Sequence, residues 1–303
     1  MQNTKIILPT ADDIARVKGL GCLRDKRYPD RFNVRVVTKA GRLTAAQLRA
    51  LADAAEQFGT GEVAMTSRLS VEVQSIPFAQ LDAFFAYLAK YDLYAGGTGP
   101  KVRPVVSCKG TSCQYGLIDT FSLAEKIHEQ FYVGMHDIKL PHKFKIAVGG
   151  CPNNCVKPDL NDIGIIGYRA PAIDPQKCRA CNLCQVEKAC PIHLPKVTGT
   201  CVHIEDTACN HCGRCIAACP FGALSEQVSG YRMYISGTWG KRVSRGKPLS
   251  FVFTSEEQVL CAIACAIDLF KENGIAGERF AATVQRLGFE NVENTIRTAV
   301  FGV

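Results

Sequence analysis

The stretch HKFKIAVGGCPNNC, residues 142–155, decides how the rest of the chain is interpreted. Its first half alternates polar and apolar residues, as a half-buried strand does. Residues two apart on a strand share a face, so Lys143 and Lys145 point together while the apolar residues between them point into a core. Its second half places Cys151 and Cys155 with three residues between them. The stretch therefore predicts a strand with paired cations on one face that ends at paired thiols.

The number of cysteines narrows the class of protein. The chain has 303 residues, enough for two or three domains, and 16 of them are cysteines. Scaffolds stapled by many disulfides are usually short, so clustered cysteines in a long chain indicate metal or redox chemistry in a reducing compartment. No apolar stretch is long enough to span a bilayer, and the N-terminus lacks the pattern of a signal peptide. We expect a cytoplasmic protein with no membrane span.

The basic excess does not require a nucleic-acid partner. The formal charge of +8 counts every cysteine as neutral. A four-iron cluster with its four thiolates carries about two negative charges when oxidised, so bound clusters would cancel much of the excess. Nucleic-acid patches usually come with aromatic stacking motifs, and none is evident. The best candidate patch, KRVSRGK at 241–247, is better explained as a solvated loop.

Hydrophobic periodicity predicts a split βαβ unit in the first third of the chain. A strand with Phe32, Val34 and Val36 on its inner face is followed by a helix capped by Thr44. Two more strands, EVAMT and RLSVEVQS, lead to a helix that Pro77 opens. The order β-α-β-β-α is typical of ferredoxin-like units.

A second α/β segment is interrupted by a block of different composition. It begins with the strand KVRPVVS and continues through a helix at 119–133 and a strand at 143–148. Between 170 and 225 the chain is rich in cysteine and proline, and helices at 255–272 and 278–287 follow it. Cys261 and Cys265, one helical turn apart in an apolar stripe, are expected in the core. The predicted domains are residues 1–100, residues 101–169 with 226–303, and the inserted residues 170–225.

The inserted block contains two cysteine runs that each end in Cys-Pro. They are Cys178, Cys181, Cys184 and Cys190, then Cys209, Cys212, Cys215 and Cys219. The second run matches the bacterial ferredoxin pattern, in which the fourth cysteine ligates the other cluster. We therefore assign two [4Fe–4S] clusters, one held by Cys178, Cys181, Cys184 and Cys219 and the other by Cys209, Cys212, Cys215 and Cys190. Zinc also takes four thiolates, but doubled triplets ending in Cys-Pro are poor zinc patterns.

A further cysteine set lies outside the insertion. Cys108 and Cys113 precede Cys151 and Cys155, and the segments CKGTSC and KFKIAVGGCPNNC resemble the siroheme and [4Fe–4S] signature of the sulfite and nitrite reductase family. Anaerobic and dissimilatory sulfite reductases with a built-in ferredoxin domain are the most similar members. The resemblance extends over residues 20–95, the insertion and the tail GYRMYISGTWG. The first cysteine pair has four intervening residues here, where the family usually has five.

The resemblance implies both a fold and a set of cofactors. The fold class is α+β: a ferredoxin-like half-module and an α/β siroheme/[4Fe–4S] domain, interrupted by an inserted bacterial two-cluster ferredoxin domain. Siroheme and three [4Fe–4S] clusters are implied, the third held by Cys108, Cys113, Cys151 and Cys155. Cys155 would bridge that cluster to the siroheme iron. Gly149 and Gly150 lack side chains, so backbone there can lie against macrocycle and cubane, although a plain turn is also compatible.

The resemblance also maps Arg35, Arg68 and Arg103 onto the substrate chamber beside Lys143 and Lys145. Taken singly, each is equally explained as an exposed strand residue. Sulfite is a dianion, and siroheme adds a ring of carboxylates, so cations in a partly dehydrated pocket would offset the repulsion. Arginine suits anion oxygens, whereas lysine, whose pKa is more easily lowered, suits proton donation.

These inferences predict the catalytic subunit of a siroheme-dependent sulfite reductase, which reduces sulfite to sulfide with six electrons. An external flavin or iron–sulfur donor would supply them through the inserted clusters. Nitrite reduction is the alternative within the same class, and a non-catalytic electron-transfer subunit is the alternative outside it. Full-length assimilatory relatives contain two half-modules and this chain has one, so a second copy or a partner subunit is expected to complete the chamber.

Overall fold

The N-terminal unit is a four-stranded antiparallel sheet covered by helices. A computed structural model describes residues 7–303, and residues 1–6 of the first predicted domain lie outside it. The elements are α1 (Ala11–Gly19), β1 (Cys22–Arg24), β2 (Arg31–Val36), α2 (Ala45–Phe58), β3 (Val63–Met65), β4 (Val71–Pro77) and α3 (Leu81–Ala89). The strand order is β1-β2-β4-β3, with β2 and β3 both antiparallel to β4. The two strands joined by α2 are thus parallel with a strand between them, which is the predicted split βαβ arrangement.

The sequence signals of this unit correspond to its packing. Phe32, Val34 and Val36 alternate with half-buried residues along β2 and are all fully buried. Thr44 caps α2 and forms a reciprocal capping box with Gln47. Arg68, predicted at the start of a strand, instead lies in the turn before β4, where Leu69 has φ 61°.

The second unit begins with three parallel strands. In chain order its elements are β5 (Val106–Ser107), α4 (Thr120–Ile127), β6 (Ile146–Gly149) and β7 (Ile163–Ile173), and α4 continues as a π-helix over His128–Val133. β5 pairs parallel with β6, and β6 pairs parallel with β7. β5 is shorter than predicted because Pro104 has no N–H to donate to a ladder. β6 begins at Ile146, so both lysines of the opening stretch precede the regular strand.

The cysteine-rich block leaves the sheet at the end of β7 and returns at the neighbouring strand. It contains α5 (Gln185–Ala189), β8 (Lys196–Thr198) and β9 (Cys201–His203), and the chain re-enters the sheet as β10 (Leu224–Ile235). β10 pairs antiparallel with β7 from Ile235↔Ile163 to Leu224↔Ile173. A separate small hydrophobic cluster lies within the block, formed by Val186, Val202, Cys215, Ala223 and Leu224. The block therefore has its own core and is attached through a two-stranded ladder.

The sheet and its helical layer are completed after the block. β11 (Lys247–Phe253), α6 (Glu256–Asn273), α7 (Phe280–Leu287) and α8 (Phe289–Phe301) follow, and the sheet order is β11-β10-β7-β6-β5. The helix α8 was not predicted; it begins directly after Gly288, whose φ of 87° ends α7. Within residues 7–303, none of the helices combines the length and apolar character that crossing a bilayer requires.

The expectation that Cys261 is a core residue was wrong. Cys261 is exposed, and Cys265 is half-buried at the same groove between α6 and α8. The buried stripe of α6 is formed instead by residues such as Ile263, Ile267 and Phe270. The cysteines lie at the edge of that stripe, where periodicity alone does not distinguish core from boundary.

Candidate functional site

Charged residues gather at the edge of the sheet where the parallel strands begin. Arg103 precedes β5, Lys143 and Lys145 precede β6, and Asp162 precedes β7. The Arg103 N–H donates to the Phe144 carbonyl at 2.8 Å, and the Lys145 N–H donates to the Asp162 carboxylate at 2.9 Å. Because neighbouring parallel strands start at one edge, residues distant in sequence meet there. We call this the cation edge.

The N-terminal unit contributes the other two predicted cations. Arg68 reaches across to donate to Asn161 Oδ1 at 2.9 Å and to the Pro104 carbonyl at 3.0 Å. Arg35, on β2, pairs with Glu72 at 3.3 Å and lies close enough to Arg103 to disfavour its charge. The five predicted cations are thus brought together, at the junction of the two units.

Burial and mutual repulsion dominate the electrostatics of the cation edge. Burial, and then the Arg103 charge, lowers the pKa of Arg68 to about 10. Burial, and then the Arg35 charge, lowers the pKa of Arg103 to about 10. The pKa of Lys145 is lowered to about 8 by burial and then by Arg68 and Arg279. Each cation destabilises the charge of its neighbours, so the group as a whole favours a bound anion.

Sequence reasoning missed the central ion pair of this edge. Arg279 lies just before α7 and donates to both carboxylate oxygens of Asp162 at 3.0 Å. Asp162 is fully buried, and burial raises its pKa although Arg279 opposes this shift. His142 also belongs to the group, because burial and then the Arg279 charge lower its pKa. Asp162 and Arg279 are 117 residues apart, so no local motif could have linked them.

A large cleft opens beside the cation edge. Its volume is about 1070 Å³, and Lys143 and Arg279 line it. The loop containing KRVSRGK lines it as well, with Lys241, Arg242 and Arg245. This loop, expected to be merely solvated, is exposed but turns its basic residues along the cleft.

Cysteines occupy the opposite edge of the same strands. Cys108 follows β5 and Cys151 follows β6. Burial raises the pKa of Cys151, and the negative charges of the Cys108, Cys155 and Cys113 thiolates raise it further. The other three cysteines therefore lie near enough for their charges to act on Cys151. We call this group the thiol edge; Cys155 is its exposed member.

The glycines in the opening stretch allow the two thiol-bearing loops to approach closely. The Gly150 N–H donates to Cys108 Sγ at 3.1 Å. A Cβ on Gly150 would come within 2.7 Å of the Gly110 Cα, which lies between Cys108 and Cys113. A Cβ on Gly149 would come within 2.8 Å of Pro158. The contacts of this loop with Gly110 and Pro158 therefore require glycine at both positions.

The cation edge and the thiol edge are separated within one copy of the chain. The four residues of β6 lie between Lys145 and Cys151. At about 3.3 Å per residue, the strand alone spans about 13 Å. The predicted cations and the predicted thiols are therefore each assembled, but at opposite ends of the strand.

In the insertion, Cys190 lies with three of the four cysteines of the other run. The small cavity among them is lined by Cys190, Cys209, Cys212 and Cys215. Burial raises the pKa of Cys215 to about 11, and the charges of Cys209, Cys212 and Cys190 contribute. We call these four the inner set.

The four remaining cysteines of the runs are all partly exposed, as are three of the inner set. Cys178, Cys184 and Cys219 pack as partly buried residues against the small core of the block, and Cys181 is also partly exposed. The N–H of Ala180 and then that of Val202 lower the pKa of Cys178. We call these four the outer set.

The inner set lies next to the thiol edge. Cys209 and Asn210 line one side of a cleft, and Pro152 and Asn154 of the Cys151–Cys155 loop line another. The His211 ring stacks on Tyr168 of β7 with centroids 4.4 Å apart, which fixes this end of the block against the sheet.

Among residues 7–303, no three histidine, cysteine or acidic side chains converge closely enough to hold a single metal ion. That geometry applies to mononuclear sites such as zinc, where four ligands surround one ion. A cubane distributes its four thiolates over different irons, so its ligands lie farther apart.

Comparison with protein families identifies two matching domains. The nitrite and sulphite reductase 4Fe-4S domain matches residues 98–301, and the nitrite/sulfite reductase ferredoxin-like half domain matches residues 24–91. These matches confirm the predicted family and the predicted order of half-module and 4Fe-4S domain. They do not bear on the inserted ferredoxin domain, which stays a prediction.

Individual relatives agree with the family match. The coenzyme F420-dependent sulfite reductase of Methanocaldococcus jannaschii is 30% identical over 87% of this chain, which spans 42% of that protein's length. An uncharacterized protein of the same organism is 30% identical over 94% of this chain and 99% of its own length. The crystal structure of dissimilatory sulfite reductase I is 22% identical, with a TM-score of 0.70 over 88% of this chain and 69% of that one, and it supports the fold alone.

Proposed function

The chain belongs to the nitrite and sulfite reductase family, and on that premise we propose that it is the catalytic subunit of a siroheme-dependent sulfite reductase. One observation supports this most: six cations gather at the cation edge, where the carboxylate of Asp162 is fully buried. They are Arg35, Arg68, Arg103, Lys143, Lys145 and Arg279. Such a concentration of charge in a partly dehydrated site favours a small, doubly charged oxyanion over nitrite, which has one charge.

The residues present fit the implied cofactors. The Nε atoms of Arg68, Arg103 and Arg279 are buried without a hydrogen-bond partner among the described residues, so each is left free to bind an anion's oxygen. The basic cleft beside them suits a macrocycle with many carboxylates. The thiol edge would hold the [4Fe–4S] cluster, with the exposed Cys155 as the bridge to siroheme. When bound, the siroheme–cluster pair supplies the iron that sulfite binds and the electrons that reduce it.

The cation edge would bind the substrate and move protons. Sulfite, as the dianion, takes up six electrons and seven protons to give hydrogensulfide and three waters, so each departing oxygen needs protonation. Lys145, with its pKa lowered to about 8, can release a proton near neutral pH, and the arginines stay charged and hold the oxygens. Lys143, whose pKa is also lowered by burial, is the neighbouring donor.

We also propose that two copies of the chain, or this chain and a related subunit, form each chamber. The cation edge and the thiol edge lie at opposite ends of β6, and a chamber needs both. The chain has one matching half domain and one 4Fe-4S domain, and in this proposal the second set comes from another copy or from a related subunit. The cation edge of one copy would then face the thiol edge of the other.

The inserted block would hold two ferredoxin-type [4Fe–4S] clusters, on the inner set and on the outer set. Cys190 among the inner cysteines supports the exchange of fourth ligands between the runs. The inner set faces the Cys151–Cys155 loop, so it is placed to supply electrons to the thiol edge. In this proposal the block accepts electrons from an external donor protein.

The absorption spectrum of the anaerobically purified protein tests this proposal. We expect isobacteriochlorin bands and an iron content that matches three clusters and one siroheme per chain. A broad shoulder without those bands would mean clusters only and would support the non-catalytic electron-transfer subunit. Steady-state rates with sulfite and with nitrite then decide the substrate, and a much higher kcat/KM for nitrite would overturn our choice.

A further inference from the structure

We propose that Tyr132 is a positioning residue for the cation edge: its hydroxyl fixes the backbone of Gly97, and Gly97 holds the guanidinium of Arg103 in place for the oxyanion. This inference rests on the proposed function and adds to it a residue outside the cation edge that sets how tightly the edge binds its anion. The contact runs through two adjacent residues, Gly96 and Gly97, which we call the glycine pair.

Gly97 connects the tyrosine to the arginine with its own two polar backbone groups. Its N–H donates to the Tyr132 hydroxyl at 3.0 Å, and its carbonyl accepts a hydrogen bond from Arg103 Nη1. A single residue therefore separates the phenol oxygen from the guanidinium. Gly97 has a φ of 77°, in the left-handed region that a residue with a side chain rarely adopts, so this arrangement favours glycine.

Gly96 connects the same segment to a second arginine. Its N–H donates to the Arg35 carbonyl at 3.0 Å. A Cβ on Gly96 would come within 2.3 Å of the Tyr132 hydroxyl oxygen, so the phenol lies directly against this backbone. The glycine pair is thus bonded to the main chain of Arg35 and to the side chain of Arg103, one from each unit.

A third arginine is supported through Pro104. A Cβ on Gly97 would come within 3.1 Å of the Pro104 ring, so the ring packs closely on that glycine. The Pro104 carbonyl accepts the hydrogen bond from Arg68 at 3.0 Å. A displacement of the Gly97 backbone would therefore disturb the support of Arg68 as well as that of Arg103.

Tyr132 is held firmly enough to serve as the fixed point. It is 5% exposed and lies in the π-helical turn His128–Val133 that continues α4. Its ring lies 4.8 Å from the ring of His128 and stacks on Tyr94, centroid to centroid at 6.4 Å. Turns of this kind are rare and are often found at functional sites. The packed ring fixes where the hydroxyl lies, and so where Gly97 can bond.

Arg103 needs this support because its surroundings oppose it. Among residues 7–303, the bond to Gly97 is the one hydrogen bond that its side chain forms, and its Nε is buried without a partner. The charges of Arg35 and Arg279 repel its guanidinium. Without a fixed acceptor, the guanidinium would move away from its like-charged neighbours, and an anion would lose one of its donors.

Two variants that each remove one hydroxyl from the same aromatic cluster test the inference. Tyr132→Phe removes the acceptor of the Gly97 N–H. Tyr94→Phe, the matched control, removes the partner of His128 Nε2, bonded at 2.6 Å, and leaves the bonds of the glycine pair unchanged. Each variant loses one hydrogen bond in a partly buried site, so denaturant titration should show a similar loss of unfolding free energy in both.

Anion binding is measured without turnover. Sulfite, and separately sulfate, would be titrated into the full, cofactor-loaded protein by calorimetry. We expect Tyr132→Phe to weaken the binding of both anions about tenfold and Tyr94→Phe to change it by less than about twofold, because only the first variant frees the support of a charged donor. In an Arg103→Met background, Tyr132→Phe should have little further effect, since Tyr132 acts through Arg103.

Turnover distinguishes positioning from a general loss of folded protein. With reduced methyl viologen as the electron donor, the KM for sulfite should rise about tenfold in Tyr132→Phe while kcat stays within about twofold, because the proposed proton donor Lys145 is unchanged. A purely structural defect would lower kcat, through the fraction of active protein, and leave KM as it was.

The outcomes separate this inference from the proposed function. Equal anion affinity in wild type and Tyr132→Phe, an equal loss in both tyrosine variants, or a full effect of Tyr132→Phe in the Arg103→Met background would overturn the positioning role. Absence of anion binding by the wild-type protein would overturn it too. If Tyr132→Phe weakens anion binding as expected and the wild type still does not reduce sulfite, the proposed function fails and the positioning of Arg103 stands.

Discussion

The two edges of the central sheet have opposite chemistry although the same strands connect them. At the cation edge, buried arginines and lysines repel one another around Asp162. At the thiol edge, burial raises the pKa of Cys151, and the negative charges of its neighbouring cysteines raise it further. The cation edge alone is electrostatically unfavourable, since it gathers like charges in a partly buried space, and the thiol edge would become so if its cysteines ionised. This contrast agrees with our proposal that the cation edge binds an oxyanion and that the thiol edge holds a [4Fe–4S] cluster.

Removing a thiol from the thiol edge should have the largest effect on activity. We expect Cys155→Ser to abolish sulfite reduction and the siroheme absorption bands, because the exposed thiol of this set is the proposed bridge. The matched control is Cys261→Ser, an exposed cysteine on α6 outside all cysteine sets, which should retain both. Spectra and iron content of the two purified variants measure the outcome. Normal siroheme bands in Cys155→Ser would refute the bridging role.

Replacing a lysine at the cation edge should lower kcat/KM for sulfite without loss of the cofactors. We expect Lys145→Met to lower kcat/KM for sulfite by roughly 100-fold, the size typical of a lost general acid. The lysine is protonated below its pKa of about 8, so the wild-type rate should decline as the pH rises through that value. Lys145→Arg should remove this alkaline decline, because arginine keeps its charge, while its rate stays low for lack of a proton donor.

The pH profile of kcat/KM and the absorption spectrum check this prediction together. A Lys145→Met variant with wild-type kcat/KM, or one that has lost siroheme, would contradict the assigned role. Lys90→Met, which changes an exposed lysine after α3, is the control and should behave as wild type.

Local sequence patterns predicted faces and spacings but not which residues meet across the fold. The alternation of Phe32, Val34 and Val36 was enough for β2, since the period of a strand is fixed by its backbone. The same rule correctly placed both lysines on one side, half-buried beside buried Phe144. It did not reveal that regular pairing begins only at Ile146, so the cations lie at the far end of the strand from the cysteines.

Long-range ion pairs had no signal in a single sequence. Arg279 meets Asp162 only because the loop before α7 returns to the start of β7. The cysteine runs, by contrast, are predicted to hold clusters from their spacing alone, because the cubane itself constrains the spacing of its thiolates. The family resemblance mapped Arg68 to the site. The turn that holds Arg68 there depends on the φ of 61° at Leu69. The alternation of apolar residues in this segment predicts a continuous strand and gives no sign of that turn.

The Asp162–Arg279 pair should affect stability more than chemistry. Asp162→Asn leaves Arg279 beside Arg68 and Lys145 without its buried counter-charge. Breaking a buried pair by removing one partner typically costs about 3–5 kcal/mol of unfolding free energy. Denaturant titration should show this loss. Added sulfite or sulfate should restore part of the unfolding free energy, because either anion would bind to the cations that have lost their counter-charge. The control Glu72→Gln, which breaks the half-buried pair with Arg35, should cost much less.

Mixing two inactive variants distinguishes a chamber within one copy from a chamber shared between copies. If the cation edge of one chain faces the thiol edge of another, a dimer of Lys145→Met with Cys155→Ser has one chamber with both defects and one that is intact. Random exchange makes half of the dimers mixed, so about a quarter of the wild-type activity should return. Each variant alone, carried through the same unfolding or exchange step, is the control. No recovery, in samples where mass spectrometry shows mixed dimers, would mean that each chain closes its own chamber and that the separation along β6 is bridged by a rearrangement within one copy.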